Sequence, residues 1–200
     1  HSPNRGMTLV NLPERRERAA QPSNEDDVLV AIARLRRESL LPEKFTESEL
    51  MRQLQLDRPG VRNALTRLED LGVTRRKTGY GWEFSDAIRD ARAKAESYRF
   101  RILIECAAIL EPDFRLDAAW VADMKERHRA IMGAEWQESS SVTLFEMNAD
   151  FHLGICAASG NRYLKEAMHR QNQLRRLYNY NWRHGPERVQ ATCSQHLEII

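Results

Sequence analysis

The chain has 200 residues, of which 42% are hydrophobic and 30% charged, and its formal net charge is +2. This composition is typical of an ordinary globular protein with one large or two small domains. No segment approaches the roughly 18 consecutive apolar residues of a membrane span, and the polar, arginine-containing start excludes a secretory signal peptide. The widely spaced Cys106, Cys156 and Cys193 exclude a disulfide framework, so we expect three buried thiols in a reducing cytoplasm.

The first 24 residues show no hydrophobic periodicity and are predicted to form a flexible arm, whose first six residues we interpret as a tag remnant. A helix is predicted from about residue 26 to residue 38. Its apolar positions recur at helical spacing, at Val28, Ile32 and Leu35.

Two further helices and a hairpin follow. Thr46 is predicted to cap the second helix, and Glu49 completes a capping box with it. Pro59 suits the first turn of a third helix that ends at Gly72. Residues 73–84 then place two short β-prone runs on either side of a Gly-Tyr-Gly tip, which predicts a hairpin.

This element order predicts a mainly α protein with two units. Residues 25–84 form a winged helix-turn-helix, residues 85–97 a charged helical connector, and residues 98–200 an all-helical bundle. We expect the bundle's helices at about 92–111, 117–133, 139–158, 161–182 and 186–200. The apolar pattern still continues at Ile200, so we expect the last helix to extend past the printed sequence.

The third helix and the hairpin have the character of a DNA-reading surface. Residues 57–77 contain six basic and three acidic residues, a local excess that indicates an anionic partner. The guanidinium group of arginine can make two parallel hydrogen bonds to a guanine edge or to a phosphate. Glycine, which has no side chain, lets the backbone approach the sugar-phosphate chain closely. For each basic residue taken alone, the alternative to a DNA contact is an ordinary charge on a solvated surface. The predicted DNA contacts are Arg58, Arg62, Asn63, Thr66, Arg67, Arg75, Arg76, Lys77 and Gly79.

Residues 45–72 resemble the signature of the GntR family of bacterial regulators, in particular Arg58-Pro59-Gly60-Val61-Arg62-Asn63-Ala64-Leu65 and the glycine wing. The resemblance implies that Arg58 and Arg62 are the main DNA contacts, with Gly79 in the wing. Asp57 stands where the family has serine or threonine, and we expect its carboxylate to cap the third helix. Gly60 is an additional departure from the pattern.

The second half resembles the FCD ligand-binding domain of the FadR subfamily, and the resemblance implies that the helical bundle is a sensor domain. The similarity rests on Arg101-Ile102-Leu103-Ile104-Glu105, on Asn148-Ala149-Asp150-Phe151-His152 and on Ser159-Gly160-Asn161, with a further histidine at His196. Family members have aspartate where this chain has Asn148, and they supply a third histidine from a helix after His196.

Three polar side chains are predicted to point into the apolar interior of the bundle. Asn148 and His152 lie four residues apart on the inward face of one helix, and His196 lies on the inward face of the last. Together they have the chemistry of a divalent metal site of the zinc, nickel or manganese class. The alternative to a metal site is a pair of core histidines whose hydrogen bonds are satisfied within the protein. His128, His169 and His184 are predicted to be surface residues.

Arg101 lies one helical turn before Glu105 and has two interpretations. It forms an ion pair with Glu105, or, as the resemblance implies, it binds a ligand carboxylate. Tyr178, Tyr180 and Trp182 are candidates to line the pocket, and equally for core or interface positions. The predicted ligand-binding set is Arg101, Asn148, His152, Tyr178 and His196.

These features predict a homodimeric cytoplasmic regulator, not an enzyme. It would bind double-stranded operator DNA and respond to a small carboxylate metabolite, without a membrane partner. We expect a repressor that the ligand releases, with activation as the alternative. One alternative is a metal-dependent enzyme with His152 and His196 as ligands, although no suitably spaced nucleophile–base or acid–base pair is found. The other is an architectural DNA-binding protein that responds to no ligand.

Overall fold

The computed structural model describes residues 24–88, 90–181 and 184–200, so the predicted arm falls almost wholly outside the described residues. The described part forms eight helices and three short strands. In chain order they are α1 (Glu25–Arg37), β1 (Lys44–Phe45), α2 (Glu47–Leu54), α3 (Arg58–Asp70), β2 (Thr74–Arg76), β3 (Trp82–Phe84), α4 (Ala91–Ile109), α5 (Ala118–Gly133), α6 (Ser140–Ala158), α7 (Arg162–Asn179) and α8 (Gly185–Ile199).

The first unit is the predicted winged helix-turn-helix. Helices α1, α2 and α3 pack around a common core, and β2 and β3 form the antiparallel hairpin of the wing. Strand β1, which the sequence did not predict, pairs with the free edge of β3 and opposes Phe45 to Trp82. The sheet order is therefore β1-β3-β2, which ties the hairpin to the start of α2.

Local sequence signals explain where these helices begin. The Thr46 hydroxyl accepts a hydrogen bond from the Glu49 amide, and the Glu49 carboxylate accepts one from the Thr46 amide, so the predicted capping box is confirmed. The Asp57 carboxylate likewise accepts a hydrogen bond from the Gly60 amide at 2.9 Å. The expected cap of α3 is thus present, and it explains an acidic residue at the start of a basic helix.

The predicted helical connector over residues 85–97 is wrong in its first half. Residues 85–88 form no helix, and α4 begins at Ala91 behind an Asp90 cap, whose side chain accepts a hydrogen bond from Ala93. Residues 91–97 are the first turns of the first sensor helix instead of a separate linker. The non-helical segment is held to the sensor domain by the Ile88 amide, which donates to the Leu174 carbonyl at 2.9 Å.

The second unit is the predicted helical bundle. Helix α6 lies at its centre and contacts α4, α5 and α7, while α8 packs on α5. Its apolar side chains form small clusters between neighbouring helices rather than one continuous core. Within the described ranges, no helix combines the length and apolar character that a bilayer crossing requires.

The two units are packed directly against each other. Helix α1 contacts α6 and α7, and its buried side chains share one cluster with Phe145 and Tyr180 of the sensor domain. Arg176 of α7 donates to the Leu71 carbonyl, at the end of α3, across 3.3 Å. Arg37 and Asn181 form a further hydrogen bond of 3.0 Å between the units. The first unit is therefore packed on α6 and α7, the same two helices that form the interior of the second unit.

The expectation of three buried thiols is wrong for Cys106, which is exposed on α4, whereas Cys156 and Cys193 are buried. Burial raises the pKa of Cys156 and of Cys193 to about 11. We therefore expect Cys156 and Cys193 to stay unreactive toward Ellman's reagent in the native chain at pH 8, because only the thiolate reacts. At most one thiol per chain, that of Cys106, should react natively, and all three after denaturation. A rapid native reaction that survives Cys106→Ser would contradict this assignment.

A glycine in α6 allows close packing against α5. A β-carbon at Gly154 would overlap the indole ring of Trp120, whereas a β-carbon at Gly133 would meet no atom within 4 Å. Gly154→Ala should therefore lower the free energy of unfolding by about 1–3 kcal/mol. The matched control Gly133→Ala should leave it unchanged or raise it slightly. Urea unfolding of both variants tests this prediction, which fails if the two alanines have equal effects.

Candidate functional site

Helix α3 has one buried face and one open polar face. Val61, Ala64, Leu65 and Leu68 are buried against the rest of the first unit. On the opposite side Arg58, Arg62, Asn63 and Thr66 are exposed and form a continuous stripe. A recognition helix requires this division, because one face must pack while the other offers hydrogen bonds to base edges and phosphates.

The arginines of α3 differ in how firmly they are held. The Arg62 side chain remains 59% exposed although its Nε lies 3.2 Å from a Glu47 carboxylate oxygen of α2. Arg67 is more strongly engaged, since it lies 2.8 Å from Asp26 and 3.6 Å from Glu25 in the first turn of α1. Arg62 is therefore available to a duplex at little cost, whereas Arg67 also stabilises the contact between α1 and α3.

The wing carries the remaining predicted basic residues. Arg75 pairs with Glu83 across the hairpin at 2.7 Å, and Arg76 pairs with Glu69 of α3 at 3.5 Å while covering the Trp82 ring. Lys77 closes the turn through its backbone, and Gly79 is at the exposed tip with a φ of +99°. Strand β2 of the hairpin thus packs beside α3, and Arg75, Arg76 and Tyr80 of the wing are exposed.

A cavity of about 900 Å³ lies within the sensor domain, between α4, α6, α7 and α8. All five side chains of the predicted ligand-binding set border it, although they come from four different helices. They are Arg101, Asn148, His152, Tyr178 and His196. Sequence spacing alone had related only Asn148 to His152 within one helix.

A buried chain of charged groups forms one wall of the cavity. The Arg101 Nε donates to Glu105 at 2.9 Å, and the other Glu105 oxygen lies 2.6 Å from the His152 Nδ1 atom. Burial alone would raise the pKa of Glu105, but the His152 hydrogen bond and the Arg101 charge hold it below its usual value. Burial lowers the pKa of His152 despite this carboxylate. The ion-pair interpretation of Arg101 is therefore confirmed.

A second chain of hydrogen bonds fixes His196, and it includes a residue that the sequence misplaced. His128, predicted on the surface, is fully buried, with its Nδ1 atom 2.6 Å from the Met124 carbonyl and its Nε2 atom 2.9 Å from the His196 Nδ1 atom. Since a carbonyl only accepts, neutral His128 must donate from Nδ1 and accept at Nε2. His196 then donates from Nδ1, and burial lowers its pKa to about 3.

These two chains have the same consequence for both imidazoles. His152 and His196 each use the Nδ1 proton for a fixed partner, which leaves the Nε2 lone pair of each ring unprotonated. The rings lie 5.1 Å apart, and Phe151 stacks on His196 at 4.0 Å. Neutral imidazoles oriented by a second hydrogen bond are the form in which histidine binds divalent metals.

The donor set therefore fits a metal, but only in part. Among the described residues, no three His, Cys, Asp or Glu side chains are placed together to hold an ion. Asn148, which borders the same cavity, would have to supply a neutral amide oxygen as a third ligand. An amide attracts a cation less than the aspartate found elsewhere in the resembled family, so the affinity of this site should be modest.

Three candidate aromatic residues have different environments. Tyr178 borders the cavity and is 36% exposed, whereas Tyr180 is fully buried in the cluster shared with α1. Tyr180 is thus a core residue, and Trp182 lies outside the described residues. Sequence analysis missed Arg175, a buried arginine on the cavity wall. Its signal is the helical spacing Met168, Asn172, Arg175, which puts a cation on the inward face of α7.

The fold is similar to that of solved bacterial proteins. One is Lar, described as controlling the expression of the Listeria monocytogenes agr system, with 16% identity and a TM-score of 0.56 over 98% of this chain and 86% of Lar. Another is a candidate transcriptional regulator GntR from Rhodococcus sp. RHA1, with 17% identity and a TM-score of 0.52 over 86% of this chain and 83% of that one. A search of curated proteins found no match.

The architecture is therefore that of a winged helix joined to a helical bundle. The family model of the FCD domain matches residues 96–200, more than half of the chain. The chain belongs to the FCD domain family, and the resemblance found in the second half of the sequence is confirmed. The two solved structures also confirm the predicted mainly α fold, in which a winged helix precedes a helical bundle.

Proposed function

We propose that the chain binds operator DNA through α3 and the wing, and that a small carboxylate in the sensor cavity changes its affinity for that DNA. The observation that carries this proposal is the exposed stripe of Arg58, Arg62, Asn63 and Thr66 on a helix whose other face is fully buried. The basic hairpin beside it supplies the phosphate contacts that position such a helix in a major groove.

The acting species is a homodimer that binds a pseudo-palindromic operator. Helix α4 supports this assignment, because Ile102, Leu103 and Leu110 are 61%, 69% and 82% exposed in the single chain. Apolar side chains this open are typical of a surface that a second subunit covers. Two-fold symmetry would then present two copies of α3 to successive major grooves.

Control by the ligand follows from the position of α6 and α7. These helices border the cavity on one side, through Asn148 and Tyr178, and hold the DNA-reading unit on the other, through Phe145 and Arg176. A ligand that prefers one arrangement of the two helices therefore also selects one placement of α3. We assign the chain as a repressor, which its ligand releases from the operator.

A divalent metal held by His152, His196 and Asn148 would supply positive charge for a ligand carboxylate. Isothermal titration calorimetry with Zn²⁺ should detect binding of the metal, and His152→Ala or His196→Ala should abolish this binding. His128→Ala should weaken binding by about 10- to 100-fold, because His128 orients His196. The exposed His169 serves as the control, and a metal affinity that His169→Ala lowers as much as His196→Ala does would contradict the site.

Selection from a pool of random duplexes tests the DNA-binding proposal. The chain should enrich an inverted repeat, and the logarithm of its affinity should fall linearly with the logarithm of salt concentration, because counterions leave the phosphates. The double variant Arg58→Ala/Arg62→Ala should enrich no sequence. Failure of the wild-type chain to enrich any duplex at low salt would refute the function.

A further inference from the structure

The wall of the sensor cavity contains a buried arginine whose charge no carboxylate of the described residues balances. Arg175 is 3% exposed, and its Nε atom has no hydrogen-bond partner in residues 24–88, 90–181 and 184–200. Its guanidinium carbon lies 4.3 Å from the centre of the Tyr98 ring, which belongs to α4. The described residues offer it no carboxylate.

The other two buried arginines show what is missing. Arg101 pairs with Glu105 at 2.9 Å, and Arg176 makes two hydrogen bonds to Glu146, at 2.7 Å and 2.6 Å. A buried cation is costly unless a hydrogen-bonding anion compensates it. In Arg101 and Arg176 the protein supplies that anion, whereas at Arg175 it supplies an aromatic face and open cavity.

The cavity as a whole has the charge of an anion site. Four of its lining residues, Lys94, Arg101, Arg175 and Arg188, carry full positive charges, and the acidic lining residue Glu105 is already occupied by Arg101 and His152. A guanidinium fork with no protein partner matches the two oxygens of one carboxylate. The anion that this cavity lacks is therefore a ligand carboxylate at Arg175.

The same cavity also has a preference for the rest of the ligand. The Nδ1 atoms of His152 and His196 face Glu105 and His128, so in the neutral form of each ring the Nε2 atom accepts a hydrogen bond from a hydroxyl group and repels a bare carboxylate. A hydroxyl oxygen is also a suitable ligand for a metal held by these histidines. A hydroxyl therefore suits this part of the wall with or without the ion.

We propose that the ligand is a small hydroxycarboxylic acid, bound by a carboxylate on Arg175 and by its hydroxyl group at His152 and His196. This inference rests on the proposed ligand-controlled function and deepens it. It assigns recognition of the carboxylate to Arg175 on α7 and leaves Arg101 to hold Glu105. It also puts the main ligand contact on a helix that supports the DNA-reading unit.

The test uses pairs of acids that differ by one hydroxyl group: malate and succinate, lactate and propionate, citrate and tricarballylate. Calorimetry with the full chain in EDTA buffer should show at least one hydroxy acid binding at least tenfold more tightly than its partner. Arg175→Met should weaken that binding at least tenfold, and Arg175→Lys should restore only part of it. Arg170→Met, on the exposed side of α7, should bind like the wild type.

The ligand-free melting temperature separates a ligand contact from a structural role. Arg175→Met removes an uncompensated buried charge, so it should melt at or above the wild-type temperature, whereas loss of a structural ion pair would lower it. Unchanged binding to Arg175→Met, equal binding of each acid and its deoxy partner, or no binding of any of the three hydroxy acids would overturn the inference. Duplex binding by the same samples reports on the proposed function separately, since ligand-free Arg175→Met should bind DNA like the wild type.

Discussion

Replacing Arg62 with alanine should weaken operator binding by about 1–3 kcal/mol, or about 5- to 150-fold in the dissociation constant. Arg62 lies in the middle of the exposed stripe of α3, and its link to Glu47 is a surface ion pair of 3.2 Å. Such a pair contributes little, so the guanidinium can turn to a base edge or phosphate almost without cost. Fluorescence anisotropy with a selected duplex measures the effect.

The control for Arg62→Ala is Arg129→Ala, which removes the same charge from an exposed position of α5 in the sensor domain. It should leave the dissociation constant within about twofold of the wild type, because at 0.15 M salt charges beyond about 8 Å are largely screened. Equal losses for the two variants would mean that net charge alone holds the DNA, and no loss for Arg62→Ala would remove α3 from the interface.

Replacing Glu146 with alanine should destabilise the whole chain by about 3–5 kcal/mol. Arg176 would keep its buried charge but lose the two hydrogen bonds that it makes to the Glu146 carboxylate. The buried Tyr180 hydroxyl would also lose its acceptor. For a protein of this size the loss corresponds to a fall in melting temperature of about 6–20 °C. Differential scanning calorimetry or urea unfolding measures it.

Glu146→Gln keeps the shape and an acceptor oxygen, so it should lie between the wild type and Glu146→Ala. The exposed Glu138→Ala provides the matched surface control and should change stability by less than about 0.5 kcal/mol. Because Arg176 also binds the Leu71 carbonyl, Glu146→Ala should loosen the seating of the DNA-reading unit on α7. A melting temperature equal to that of Glu138→Ala would contradict the role assigned to this cluster.

Features that depend on near neighbours in the chain were predictable. Thr46 and Glu49, or Asp57 and Gly60, form caps over three residues, and these caps define the starts of α2 and α3. Strand β1 was missed because two residues show no periodicity, and Lys44–Phe45 becomes a strand only by pairing with β3, almost 40 residues later. The segment before α4 was misassigned because alanine and charged residues suit a helix, whereas Asp90 sets its start.

Features of the site that depend on distant partners were not predictable. His128 lies among Lys125, Glu126, Arg127 and Arg129 in a segment typical of an exposed helix, and its partner His196 is 68 residues away. Arg175 stands beside another arginine, so the pair has the appearance of a solvated face. Only packing distinguishes them, since Arg176 meets Glu146 and Arg175 meets Tyr98. The family resemblance supplied Arg101, Asn148 and His196, and the structure brings them to one cavity.

The measurement that tests the central claim most directly is the affinity for a selected operator duplex with and without a saturating carboxylate, followed by anisotropy at fixed salt. The carboxylate is the one that most raises the melting temperature of the free chain. We predict that it weakens operator binding by about 5- to 150-fold, the usual range for coupling between two sites. A dissociation constant that stays the same while the acid is bound would contradict the claim that the helical domain controls the DNA-reading unit.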